Sequence, residues 1–180
     1  GFEKKTGVIE SGDALKVFEV EGVRAGIAVC YDSEFPLPVR AQCEAGARLL
    51  LVPSCTDTEA GATRVRVGCL ARALENRMFV AQAVTAGEAA WSPALDINTG
   101  EAALIAPMDV GLPADGILAQ TRGDEAWAVA ELSALFLEGL GHAIVMVVGT
   151  MVDLLGTAIQ AVSDLVSIVA EFQPGPGRRL

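Results

Sequence analysis

Polar and apolar positions alternate early in the chain. Ala14-Leu15-Lys16-Val17-Phe18-Glu19-Val20 switches face residue by residue, Glu21-Gly22 supplies a turn, and Val23 to Val29 returns as a nearly continuous apolar run. Two-residue alternation closed by a glycine turn predicts a β-hairpin over residues 12–29, its second strand buried. Val39, Cys43 and Ala47 stand at i, i+4 and i+8, so residues 38–47 read as a helix. Leu49 to Val52 is a short uninterrupted apolar run, the pattern of a strand covered on both faces. Thr63 to Asn76 predicts a second helix with Val67, Leu70, Ala71 and Leu74 on one side. Phe79–Val84, Ala102–Ala106, Gly116–Ala119 and Ala126–Leu132 read as further strands, and Ser92–Gly100 as a loop rich in turn residues. Strands alternating with helices predict a layered α/β domain.

The character changes after about residue 136. From Ile144 to Phe172 the chain is almost entirely apolar, and Thr150, Asp153, Thr157, Gln160, Asp164, Ser167 and Glu171 recur at steps of three and four residues. That spacing predicts a long apolar helix with a narrow polar stripe, weakened at Gly149 and Gly156 by about 1 kcal/mol each. Asp153 and Asp164 argue against a membrane span, since each costs about 2.5–3.5 kcal/mol near the bilayer centre. Packing on the domain, on a partner or on a membrane surface stays open for this segment, as does an aberrant C-terminus. The tail from Pro174 to Leu180 has a disordered composition. The expected division is a domain over 1–135, a helical extension over 136–173 and a tail over 174–180.

Composition narrows the function classes. Hydrophobic residues make up 52% of 180, enough for a substantial core. A net charge of −10 argues against nucleic acid as a partner, because phosphates require a basic face. The four cysteines, Cys30, Cys43, Cys55 and Cys69, form no Cys-x-x-Cys pair, so a zinc site is not expected. With no signal peptide ahead of them they read as reduced thiols of a cytoplasmic protein. His142 is the one histidine, lies far from Cys30 in sequence, and reads as a surface or helix-start residue rather than a catalytic base.

Cys30 closes the apolar run and is followed by Tyr31-Asp32-Ser33-Glu34-Phe35-Pro36. A thiol at the carboxyl end of a strand sits where α/β sheets keep their chemistry, although free cysteine is also a common inert core residue. The string Gly26-Ile27-Ala28-Val29-Cys30-Tyr31-Asp32-Ser33-Glu34-Phe35-Pro36 resembles the nucleophile segment of the nitrilase superfamily, the carbon–nitrogen hydrolases. Gly46 to Thr58 resembles that family's next strand and pocket loop, and Arg72-Ala73-Leu74-Glu75-Asn76-Arg77-Met78-Phe79-Val80 its Arg-Ala-x-Glu-Asn helix and following strand. The resemblance covers roughly residues 1 to 135. It implies an αββα sandwich, here incomplete, ahead of the apolar C-terminal helix. It also implies thiol-dependent hydrolysis of a small amide, nitrile or carbamoyl compound through a Cys30 thioester, no cofactor, and a homo-oligomer.

Hydrolysis by a thiol requires a base, a proton for the leaving nitrogen and a cradle for the oxyanion. The family uses a glutamate base, a lysine and a second glutamate. Glu3 matches the second glutamate by position, against a solvated terminal residue; the lysine and the base then belong upstream of Gly1, and the chain matches the C-terminal half of the domain. The backbone N–H of Tyr31 is the expected oxyanion donor. Asp32 and Glu34 read as substrate-orienting or simply solvated. Ser54 and Thr56 read as pocket-lining or as turn caps, and Arg72, Glu75 and Asn76 as a buried polar network. Trp91 and Trp127 read as packing residues. Two rival readings stand beside the hydrolase: a non-catalytic interaction protein working through the apolar C-terminal helix, and a redox-sensing thiol protein, which requires Cys30 near Cys55 or another thiol.

Overall fold

The computed structural model describes residues 12, 14–20, 22–92, 96–123 and 125–132, and the backbone of 144–152. The alternating segment forms the expected hairpin: β1 (Val17–Val20) pairs antiparallel with β2 (Val23–Ile27), Val20 opposite Val23, around Gly22 at φ 80°. A 3-10 helix over Cys30–Glu34 leads into α1 (Pro36–Glu44), which starts with proline at its first turn, where the missing N–H costs nothing. Next comes β3 (Leu49–Ser54), parallel to β2. Helix α2 (Glu59–Asn76) begins at Thr58, whose hydroxyl accepts the Gly61 N–H at 3.1 Å, and ends at Arg77 in the left-handed region at φ 50°. Strand β4 (Phe79–Glu88) lies parallel to β3 in a six-residue register from Leu49↔Phe79 to Ser54↔Val84. The short β5 (Ile97–Asn98) pairs with the far end of β4. Strands β6 (Ala103–Ile105) and β7 (Ile117–Gln120) continue the sheet antiparallel beyond β4. Strand β8 (Trp127–Leu132) pairs antiparallel with β9 (Ile144–Val152), which runs parallel to β4 at Val84–Ala86.

The result is a mixed α/β sheet with two apolar clusters. On the helix side Val39 of α1 and Val65, Cys69 and Ala73 of α2 pack on Leu50, Val52, Val80 and Ile105. On the other side Ala25, Leu49, Leu51, Phe79, Ala81 and Leu104 gather with Leu132 of β8. Both faces of β3 are therefore buried, as its apolar run requires. Burial of each large side chain contributes about 1.5–3 kcal/mol.

Four expectations are corrected. Ile144–Val152 is a strand, not the start of a long apolar helix. Its β-branched valines and isoleucine favour the extended chain, and β8 and the far half of β4 offer hydrogen-bonding partners. The remainder of that expected helix, residues 153–172, lies outside the described residues, as do His142 and the tail. The core side of α2 is Gly61, Val65, Gly68, Cys69, Arg72, Ala73 and Asn76, whereas Val67 and Leu74 are exposed. Small residues there allow close approach, and the polar ones are hydrogen-bonded, which apolar periodicity does not register. In the returning strand Ala25 and Ala28 are buried but Ile27 and Val29 face outward. Trp91 and Trp127 are each more than half exposed rather than packed; in β8 the inward positions are Ala128 and Leu132, which leaves Trp127 on the outer face. No helix among the described residues is long and apolar enough to cross a membrane.

Candidate active site

The parallel strands β2, β3 and β4 bring three chain segments together at their carboxyl ends: Ala28–Cys30, Ser54–Thr56 and Val84–Thr85. Crevices at such ends are where open α/β sheets bind ligands. Cys30 lies three residues past β2, partly buried, at φ 48°. A side chain in that left-handed region is strained by about 1–3 kcal/mol and persists where the surroundings over-determine it.

Ser33 Oγ donates to the Cys30 carbonyl at 2.7 Å, and Asp32 Oδ2 accepts the Val29 N–H at 3.1 Å. The Asp32 N–H returns to the Val29 carbonyl at 2.9 Å, which closes the turn from inside. From below, Arg72 Nη1 donates to the Ser33 carbonyl at 3.1 Å. Arg72 also pairs with Glu75, Nε to Oε1 at 2.6 Å, and Asn76 Nδ2 donates to the Arg72 carbonyl at 3.1 Å. Gly68 completes the seat: a Cβ there would stand 2.9 Å from the Ser33 carbonyl oxygen. Arg72, Glu75 and Asn76 thus reach the Cys30 turn through Ser33, which is fully buried.

Cys30 Sγ lies 3.6 Å from the Cys55 carbonyl oxygen, so the ends of β2 and β3 meet at the thiol. Cys55 Sγ is directed to Asn98 Oδ1 at 2.8 Å, an oxygen that also accepts from Thr85 Oγ1 at 2.9 Å. Both cysteines are free thiols. Ser54 and Thr56 are buried; Ser54 Oγ donates to the Val52 carbonyl at 3.3 Å and Thr56 Oγ1 to the Thr99 carbonyl. Tyr31 exposes its side chain and meets Phe35 edge-on at 5.0 Å between ring centres. Its backbone N–H is in the first turn of the 3-10 helix, where N–H groups lack an intrahelical partner. The Asp32 carboxylate is engaged by the Val29 N–H, and Glu34 Oε1 pairs with Arg64 Nε at 3.2 Å. Glu3 lies outside the described residues. Among the described residues no cluster of metal-ligating side chains gathers.

Sequence reasoning passed over Ser33, Gly68, Thr85 and Asn98. Ser33 stands inside the quoted nucleophile string and was accessible as the small polar residue of a tight turn. Gly68, Thr85 and Asn98 carry no local signal, because what they touch is 35, 13 and 43 residues away: Ser33, Asn98 and Cys55 respectively.

The family model described as carbon-nitrogen hydrolase matches residues 3–125, more than half of the chain. This chain belongs to the carbon-nitrogen hydrolase family. Among its relatives, "Probable hydrolase YhcX" of Bacillus subtilis is 34% identical over 120 residues, covering 67% of this chain and 23% of that protein. The chloroplastic omega-amidase of Arabidopsis thaliana is 30% identical over 136 residues, covering 76% and 34%. A solved amidase from Nesterenkonia sp. AN1, with acrylamide added at its active site cysteine, matches at a TM-score of 0.60 and 27% identity over 77% of this chain and 50% of that one. Nit3 of Saccharomyces cerevisiae, of the nitrilase superfamily, matches in fold at a TM-score of 0.53 and 20% identity, over 64% and 40%. The chain thus spans about a quarter to a third of the length of these two curated relatives and half or less of these solved structures.

Proposed function

We propose that this chain carries the nucleophile half of an amidase-type carbon–nitrogen hydrolase, with Cys30 as nucleophile and a small amide as substrate. The observation that supports it most is the strained, partly buried Cys30 at the carboxyl end of the parallel strands, held from beneath by Ser33 and Arg72. The Cys30 thiolate attacks the amide carbon, a carbon–sulfur bond forms, and the carbonyl electron pair moves to oxygen. The Tyr31 N–H donates to that oxyanion. Collapse breaks the carbon–nitrogen bond; the nitrogen leaves with the proton taken from the thiol and held meanwhile by the base. Water then cleaves the thioester, releasing the acid and restoring the thiol.

By the family resemblance the base is a glutamate outside this turn; within the turn Asp32 accepts from the Val29 N–H and Glu34 pairs with Arg64. By the family resemblance Glu3 is the second glutamate near the thiol, and Ser54 and Thr56 shape the wall opposite Cys30. The test is alkylation by acrylamide, read cysteine by cysteine by mass spectrometry. Cys30 is expected to label first and Cys69 not at all in the folded chain. Equal rates at Cys30, Cys43 and Cys55 would remove Cys30 from its role.

A further inference from the structure

Asn98 stands between two strands of the site. It is the buried residue of the short β5, 9% exposed, beside an outward Ile97. Its Oδ1 receives Cys55 Sγ at 2.8 Å, from the residue after β3, and Thr85 Oγ1 at 2.9 Å, from β4. Beside it the Thr99 N–H donates to the Thr56 carbonyl at 2.7 Å, and Thr56 Oγ1 donates back to the Thr99 carbonyl. Gly100 lets this strap lie close: at its φ of 153° a Cβ would stand 2.5 Å from Val84 Cγ1 and 3.4 Å from Thr56 Oγ1. Residues 98–100 therefore clamp Cys55 and Thr56 from the β4 side.

Satisfying polar groups does not account for the whole clamp. A buried amide oxygen is costly unless it is used, but Thr85 alone would use this one. A cysteine is content as a small hydrophobe and needs no acceptor. The additional contact joins Asn98 to the residue whose carbonyl oxygen lies 3.6 Å from Cys30 Sγ. The thiol and the carbonyl of Cys55 branch from one Cα, so holding the first on Asn98 limits where the second can turn.

We infer that Asn98 is a positioning residue of the Cys30 site. Through Cys55, and anchored by Thr85, it holds the Cys55 carbonyl against the Cys30 thiol, and that acceptor fixes the direction in which the sulfur points. Asn98 acts through Cys55 and not on the sulfur itself. The inference rests on Cys30 as nucleophile, and it adds a support at the β3–β4 side to the one that Ser33 and Arg72 give from beneath. A thiol that donates to a fixed carbonyl gives up that bond before it attacks, so releasing the carbonyl removes a cost of alkylation.

The test is the acrylamide labelling rate of each cysteine at fixed pH, read by mass spectrometry on the full chain. Asn98→Leu and Cys55→Ala are expected to speed labelling of Cys30 by at least about threefold, the worth of one modest hydrogen bond. Cys55→Ser keeps a donor to Asn98 and is expected to restore the natural Cys30 rate within about twofold. General loosening would instead raise Cys43 and Cys69 along with Cys30, so those two thiols are expected to keep their natural rates. The Cys55→Ala and Cys55→Ser pair carries the test if Asn98→Leu does not fold. An unchanged Cys30 rate in Cys55→Ala would overturn the inference, as would an equal rise at Cys43 and Cys69, or Cys55→Ser labelling as fast as Cys55→Ala. Failure of the nucleophile reading shows elsewhere, in the natural chain, as Cys30 labelling no faster than Cys43.

Discussion

The turn after β2 and the buried face of α2 each carry a thiol, and both thiols belong to groups that touch Ser33. Cys30 is partly buried, in a left-handed backbone conformation at the end of the parallel strands. Cys69 is fully buried in regular helix, with its thiol pushed up to about 12 by burial, which Arg66 and the Ser33 hydroxyl offset only in part. One layer of packing therefore separates a partly exposed thiol from one that is sealed and acts as a small hydrophobe. The difference is one of backbone angle and solvent access, not of residue type, and the inert thiol belongs to the platform that holds the other in place.

The alkaline stability of the chain tests the Cys69 side of this contrast and carries the largest expected effect. An unfolded thiol ionises near 9.0 and the folded Cys69 near about 12, so the folded chain keeps the proton over that interval. Stability is therefore unaffected by this group below about pH 9 and falls as pH rises toward 12, by up to about 4 kcal/mol. Denaturant melts at about pH 8 and pH 11, compared between the natural chain and Cys69→Ala, measure it; an identical loss in both would show that Cys69 does not resist ionisation.

The platform is tested next. Arg72→Ala removes the donor to the Ser33 carbonyl and leaves that buried oxygen unpaired, for an expected loss of about 3 kcal/mol by chemical denaturation. A loss below about 1 kcal/mol would mean that the turn does not rest on Arg72. Gly68→Ala sharpens the same point. Alanine is the better helix former by about 1 kcal/mol, yet its Cβ would press on the Ser33 backbone, so a net destabilisation of about 2 kcal/mol is expected together with a changed acrylamide labelling rate at Cys30. Net stabilisation with unchanged labelling would separate α2 from the turn.

The smallest effect concerns the strain at Cys30. Because its φ of 48° suits glycine, Cys30→Gly is expected to be more stable than Cys30→Ala by about 1 kcal/mol, despite glycine's greater entropy in the unfolded chain. If alanine proves the more stable of the two, the turn stores no strain.

Much of the fold was legible because it rests on local properties. Alternation and Gly22 predicted the β1–β2 hairpin, and the unbroken Leu49–Val52 run predicted a central strand. Periodicity found α2 but not its buried side: Gly68, Arg72 and Asn76 face inward while Val67 and Leu74 face out. Counting apolar positions fails where close backbone approach demands glycine and a buried carbonyl demands a donor. The C-terminal segment failed for a related reason. Steps of three and four fitted a helix, and the strand partners that overrode them, β8 and β4, are invisible to a local pattern. At the site, the string around Cys30 was readable, whereas the contact with the Cys55 carbonyl required β2 and β3 to pair.

By itself, then, the sequence determined the family, the α/β layering and a cysteine at the end of an apolar run, because side-chain branching, turn residues and short motifs act over a few positions. Tertiary structure alone decided which thiol is only partly buried and which is sealed, which face of α2 carries the turn, and that Ile144–Val152 joins the sheet. Those outcomes depend on partners distant along the chain, whose hydrogen bonds and buried surface exist only once the strands have assembled.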